Sequence, residues 1–243
     1  MSGTNVPFLE VYRVTKLFGG LVANNTVSMV LKKGEIRGLI GPNGSGKTTL
    51  INLITGIYEV TEGSIYFCGR RIDGLQPDLI ASIGIMRTFQ VARVFRDMTL
   101  LENMLIPAFC QGQSRRQARK RAEKLLDFAL LTRLKDKPAK SLSGGQNMLL
   151  QIVRGFMNTD VQLYVMDEPF AGVHQSIKGI ILKTIRMMNR DKGVTFLVVS
   201  HEMPTISTLC DRVTVLAKGE RIAEGSMEEV ANDPKVIDAY LGG

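Results

Sequence analysis

The chain has 243 residues, 44% of them hydrophobic and 22% charged, with a net charge of +8. That balance describes a globular protein with a substantial core, built as one large domain or as one domain carrying an inserted lobe, and it excludes a disordered or fibrous chain. It contains no apolar run near the roughly 18 residues of a membrane span and no N-terminal secretory pattern, while Cys68, Cys110 and Cys210 lack metal-type spacing and suit reduced, mostly buried thiols in the cytosol.

Two β-rich pieces open the chain, around residues 8–14 and 26–31. Lys33-Gly34 turns into a strand over 35–40, and a glycine-rich loop leads from it into a helix. In that helix Leu50, Leu53, Ile54 and Ile57 recur at spacings of three and four, an apolar stripe for packing on a sheet. Strands follow near 64–68 and 84–89. From 91 to 156 strand signals give way to helical ones. Ala118, Ala122, Leu125 and Ala129 mark one face of a helix whose other face carries Arg115, Arg116, Arg119, Lys120 and Arg121. The net charge permits nucleic acid or an anionic membrane surface as a neighbour without choosing. The basic run has no interleaved aromatics for base stacking and reads as a solvated helix face. After Phe156 strand and helix alternate again, over 161–166, 176–190, 194–200 and 212–216. This order predicts a parallel sheet covered on its faces, with the helical stretch inserted as a lobe.

Gly41-Pro42-Asn43-Gly44-Ser45-Gly46-Lys47-Thr48 matches the G-x-x-x-x-G-K-[ST] phosphate loop, and it has the strand before and the helix after that the match requires. Glycines let successive backbone N–H groups surround phosphate oxygens, and the helix N-terminus adds a favourable dipole. Lys47 would contact the β- and γ-phosphates and Thr48 would ligate Mg²⁺. The apolar run from Leu163 ends in Asp167 and Glu168, at the strand end where α/β sheets bind ligands. Asp167 could hold Mg²⁺ there, and Glu168 could polarise an attacking water. Leu142-Ser143-Gly144-Gly145-Gln146 opens a further helix, with Ser143 as its cap and a second possible anion site at its start.

With these three motifs in this order, the chain resembles the nucleotide-binding subunits of ATP-binding-cassette (ABC) transporters over nearly its whole length. The resemblance implies an α/β fold: a P-loop NTPase core of RecA type with an N-terminal antiparallel β subdomain and an inserted α-helical subdomain. Residues 1–243 would form one ABC ATPase domain, with core and β subdomain over 1–90 and 157–243 and the helical insert over 91–156. It adds Gln90 as the Q-loop glutamine and a third group near Mg²⁺, His201 as the switch histidine, Phe18 as the aromatic that stacks on adenine, and Thr49 as part of the nucleotide loop. Catalysis would rest on Glu168, His201, Lys47 and Gln90, with ATP and Mg²⁺ as cofactors. Such ATPases work in pairs, so Ser143, Gly144, Gly145 and Gln146 would face the nucleotide held by a second copy or a sister ATPase. The other implied partners are two transmembrane permease subunits and, indirectly, a solute-binding protein, at the cytoplasmic face of the membrane; no nucleic acid is expected.

Arg87-Thr88-Phe89-Gln90, then Val94-Phe95-Arg96-Asp97-Met98-Thr99 and Glu102-Asn103, is similar to the ATPases of branched-chain amino-acid importers, as is the ending from Asp233 to Gly242. ATPases serving urea or lipopolysaccharide share parts of this pattern, so these remain alternatives, beside a soluble nucleic-acid-associated ABC ATPase. Two positions depart from the family. Leu149 stands where an arginine is common, and His174 stands where the D-loop has an aspartate or asparagine. Both bear on dimer closure, and they leave open a nucleotide-gated subunit with weakened hydrolysis.

Overall fold

The computed structural model describes residues 6–241, so the first five residues of the N-terminal stretch and Gly242 of the C-terminal ending lie outside the described residues. A four-stranded antiparallel sheet of order β2-β1-β4-β5 is built from β1 (Leu9–Phe18), β2 (Leu21–Leu31), β4 (Glu62–Phe67) and β5 (Arg70–Arg71). Strands β1 and β2 form a hairpin in which Phe18 pairs with Leu21 across Gly19-Gly20, the kind of two-residue turn that glycine favours. This tip carries Phe18 and Leu21 out of the core, 41% and 67% exposed respectively.

The second sheet has the order β10-β9-β3-β8-β7-β6. Strands β3 (Ile36–Ile40), β6 (Ile85–Arg87), β7 (Leu163–Asp167), β8 (Thr195–Val199) and β9 (Arg212–Ala217) pair in parallel, and β10 (Glu220–Gly225) returns antiparallel to β9. The sheet is therefore mixed at one edge and not wholly parallel. Strands β3, β7 and β8 are buried along their full lengths, which is why, apart from Arg37 in β3 and Asp167 at the end of β7, they read as mostly apolar runs without alternation. Successive residues still serve opposite faces. Leu39, Val165 and Leu197 join one core cluster with Val11, Met29 and Ile51, whereas Ile40, Tyr164 and Phe196 join another with Leu126, Leu149 and Phe156.

The first of these faces is covered by α1 (Lys47–Ile54) and the antiparallel sheet. The other is covered by the segment holding α3 (Leu100–Cys110), α4 (Arg115–Phe128) and α5 (Gly144–Gly155), together with α6 (Gln175–Lys192) and α7 (Met203–Leu209). Short helices α2 (Pro77–Ser82), α8 (Met227–Ala231) and α9 (Pro234–Leu241) complete the chain. The helical segment shares one continuous core with the sheet.

Several expectations are adjusted. The first two strands run longer than predicted, and the one near 84–89 contracts to Ile85–Arg87 because Phe89 peels away to meet α5. The cysteines are not mostly buried: Cys68 and Cys110 are exposed and Cys210 is half-buried. Cys68 follows the end of β4 at a left-handed φ of 50°, and Cys110 is the last residue of α3, so neither lies inside a packed face.

Candidate active site

Parallel strands β3, β7 and β8 end at the same edge of the sheet, and each is followed by a candidate residue. The loop after β3 enters α1 through Gly46, whose φ of 96° is left-handed. A Cβ there would lie 2.5 Å from the Ala23 carbonyl oxygen and from Asn24 Nδ2, and one on Gly41 would lie 2.0 Å from the Leu216 carbonyl oxygen. Both positions therefore need glycine on steric grounds as well as on φ. Gly46→Ala is expected to destabilise the fold by about 1–3 kcal/mol and to weaken ATP binding at least about tenfold through displacement of the loop. Thermal melting and titration with a fluorescent ATP analogue check both.

Lys47 is buried, and its Nζ donates to the carbonyl oxygens of Gly41 at 2.8 Å and Pro42 at 2.9 Å and to Ser45 Oγ at 3.3 Å. Burial pulls its pKa below the usual lysine value, while Glu168 and Asp167 act in the opposite sense. The ammonium thus rests on the loop it would stretch from to meet a phosphate.

At the end of β7, Asp167 is 4% exposed, and its backbone N–H donates to Thr88 Oγ1 at 3.2 Å. Burial pushes its carboxyl pKa up. Arg87, whose Nη2 lies 3.6 Å away, holds it down in part, Glu168 raises it and Lys47 lowers it. Glu168 takes a left-handed φ of 49°, and its N–H donates to the Val199 carbonyl at 2.9 Å. This turns its carboxylate across the end of β8, where Oε2 sits 3.0 Å from His201 Nδ1. His201 remains 66% exposed on its side chain, free to reorient over the cleft.

Phe18, Asn43, Gly44, Ser45, Gly46, Lys47, Thr48, Thr49, Gln90, Glu168 and His201 all line one cleft of about 550 Å³. Gly41 and Pro42 lie beneath it through their carbonyl contacts with Lys47. Asp167 is not on the wall; it lies below, against Arg87. Phe18 meets Tyr58 edge-on, with centroids 5.1 Å apart, and Lys16 Nζ stands 5.0 Å from the Phe18 ring. Leu21, Val22 and Ala23 also line the cleft. The sequence reading missed them, although the Gly19-Gly20 turn after Phe18 is the signal that brings a following strand back beside it.

Ser143, Gly144, Gly145 and Gln146 do not reach this cleft. They form the N-terminus of α5, where Ser143 Oγ accepts from the Gln146 N–H at 3.3 Å and Gln146 Oε1 accepts from the Ser143 N–H at 3.0 Å, a complete capping box. Leu149 is fully buried within α5's apolar face, and His174 caps α6 by accepting from the Ser176 N–H. Each departure from the family pattern thus has a local structural role.

Charge, dipole and shape make the cleft a receptor for a polyphosphate, with an aromatic at one end and a carboxylate–imidazole pair at the other. The described residues hold no cluster of three or more His, Cys, Asp or Glu side chains of the kind that cages a metal by itself. A donor set of one buried carboxylate, Asp167, with the exposed hydroxyl of Thr48 and the cleft-lining amide of Gln90 fits Mg²⁺ in kind, since that ion keeps waters and phosphate oxygens for most of its shell.

Known proteins are similar to the chain in sequence and in fold. The sequence profile of the ABC transporter family matches residues 24–171, and that of the branched-chain amino acid ATP-binding cassette transporters matches 220–243. The "Probable branched-chain amino acid transport ATP-binding protein LivG" of Archaeoglobus fulgidus is 38% identical, with 96% of this chain and 95% of the relative covered. The "High-affinity branched-chain amino acid transport ATP-binding protein LivG" of Salmonella typhimurium is 37% identical, with 97% and 98% covered. Among solved structures, the ADP conformation of an ATP-binding cassette of an ABC transporter superposes with a TM-score of 0.86 at 37% identity, covering 98% of this chain and 99% of that one. A dimeric cassette in a post-hydrolysis state bound to ADP and Pi superposes with a TM-score of 0.82 at 28% identity, covering 90% and 98%. The phosphate loop, the strand-end acids and the capped glycine pair thus occur together in a fold and a sequence shared along the chain's length, and the protein belongs to the ABC transporter family as one of its ATP-binding cassettes.

Proposed function

We propose that the chain is the energy-coupling ATPase of an importer for branched-chain or other apolar amino acids. The observation that carries this reading is the split arrangement: phosphate loop, Phe18, Glu168 and His201 share one cleft, while Ser143 to Gln146 stand capped and apart from it. A second copy or a sister ATPase would bring its Ser143 and Gly145 to the γ-phosphate held by Lys47. ATP then bridges two subunits and hydrolysis releases them. Lys47 would bind the β- and γ-phosphates, Thr48, Asp167 and Gln90 would hold Mg²⁺, Glu168 would take the proton of the attacking water, and His201 would steady the γ-phosphate. When bound, Mg²⁺ would supply neutralisation of phosphate charge. Residues 91–156 act as the helical subdomain between this core and the permeases.

The substrate class rests on the names of the relatives and on the match over 220–243. No helix among the described residues is long and apolar enough to cross a membrane. On the proposed reading the translocation path belongs to two permease chains, and this subunit works at their cytoplasmic face. Affinity purification from native membranes is expected to recover two multi-span proteins and a solute-binding protein that takes leucine, isoleucine or valine. Recovery of nucleic acid or ribosomes in their place would sink the reading.

A further inference from the structure

Arg87 has no role in the mechanism above, yet it joins the metal side of the cleft to α5. Its Nη1 donates to Asn52 Oδ1 at 2.7 Å and Thr55 Oγ1 at 2.9 Å, at the C-terminal end of α1. Its Nη2 lies 3.6 Å from Asp167 Oδ2, with both side chains at most 10% exposed. Its guanidinium lies over the Phe89 ring, Cζ 4.4 Å from the centroid, and Arg93 Cζ lies 4.0 Å from the same centroid. Gln151 of α5 clamps the same loop at two points: Nε2 donates to the Phe89 carbonyl at 3.1 Å, and Oε1 accepts from the Arg93 N–H at 2.9 Å. Arg154, one turn further along α5, donates to the Arg93 carbonyl.

We propose that Arg87 is a positioning residue that reports metal occupancy at Asp167 to the signature helix α5. The proposal rests on the reading of Asp167 as the carboxylate that meets the metal. Without metal, the guanidinium supplies the positive charge that the buried carboxylate needs. The guanidinium would be repelled by a divalent cation held at the same carboxylate. Arg87 is tethered to α1 through Asn52 and Thr55, so its freedom to respond lies in the Asp167 contact and the Phe89 stack. A shift of that stack moves a loop whose backbone α5 grips at Phe89 and Arg93. Because binding free energies are reciprocal, the position of α5 in turn biases metal affinity. A guanidinium is suited to this, since it can pair with a carboxylate at its edge and stack on a ring through its face.

The test measures the affinity of the full chain for a fluorescent non-hydrolysable ATP analogue, in EDTA and in excess Mg²⁺. Arg87→Gln keeps a polar partner for Asn52 and Thr55 and removes the charge. It should widen the metal-dependent affinity ratio by roughly threefold or more; an unchanged or narrower ratio overturns the proposal. Asp167→Asn should narrow the metal-dependent affinity ratio by roughly threefold or more. If the ratio is unchanged there, the reading of Asp167 is wrong; if it narrows while Arg87→Gln leaves the ratio as in wild type, only the role of Arg87 falls. Phe89→Leu carries the test if Arg87→Gln does not fold. It should reduce, by about threefold or more, the Mg²⁺-induced change in hydrogen exchange over α5. Undiminished transmission in that variant overturns the relay.

Discussion

Glu168→Gln is expected to lower ATP turnover roughly 10²–10⁴-fold while leaving ATP binding close to wild type, the range that follows from removing a positioned general base. The backbone around Glu168 is fixed independently of its side chain, by the left-handed φ of 49° and the N–H bond to Val199. Glutamine is isosteric and can still hydrogen-bond to His201, so the cleft keeps its shape and loses only a proton acceptor. ATP should therefore accumulate unhydrolysed and hold two subunits together, visible as an ATP-dependent dimer on gel filtration. Turnover at the parental rate would assign the base elsewhere, and a monomer with bound ATP would remove the shared-site reading.

The parts of this site that were legible in the sequence are those where backbone geometry dictates residue type. A strand buried on both faces is largely apolar, so β3, β7 and β8 stood out, and the loops at their ends followed. Gly41 and Gly46 were legible because no other residue fits their φ and their neighbours. Ser143 at the start of an apolar helical stripe announced a cap, and its pairing with Gln146 came from the structure. What stayed hidden depends on partners distant in sequence. Arg37 in β3 is 2% exposed, a cation placed inside a sheet only because Glu35 and Glu224 meet it at 2.6 and 3.1 Å. The clamp of Gln151 on Phe89 spans 62 residues, and no local period encodes it. Strand β10 was missed because its charged, half-exposed residues lie on a sheet edge, where burial imposes little pattern. The helical stretch over 91–156 was legible as a change of texture, but the core it shares with the sheet was not, since that depends on which faces meet.

Lys47→Met is expected to weaken binding of Mg²⁺-ATP about 100-fold or more, because it removes charge-assisted hydrogen bonds worth roughly 1.5–3 kcal/mol each from the site of densest phosphate charge. Its effect on the empty protein is a contest of smaller terms. The variant forgoes hydrogen bonds to the Gly41 and Pro42 carbonyls, but it also relieves the burial of an ammonium whose pKa that burial already depresses. Methionine keeps the unbranched apolar stem, so packing changes little. The net effect on the nucleotide-free melting temperature is therefore small, within about 1–2 kcal/mol of stability. The nucleotide-induced shift behaves differently. A 100-fold loss of affinity removes about 2.7 kcal/mol of ligand stabilisation at saturating ATP, several degrees in melting temperature for a domain of this size. Melting curves with and without Mg²⁺-ATP thus separate the two roles of Lys47. A Met variant that keeps the full ATP-induced shift would mean that the backbone N–H groups of the loop bind the phosphates unaided, and that Lys47 acts only on the transition state.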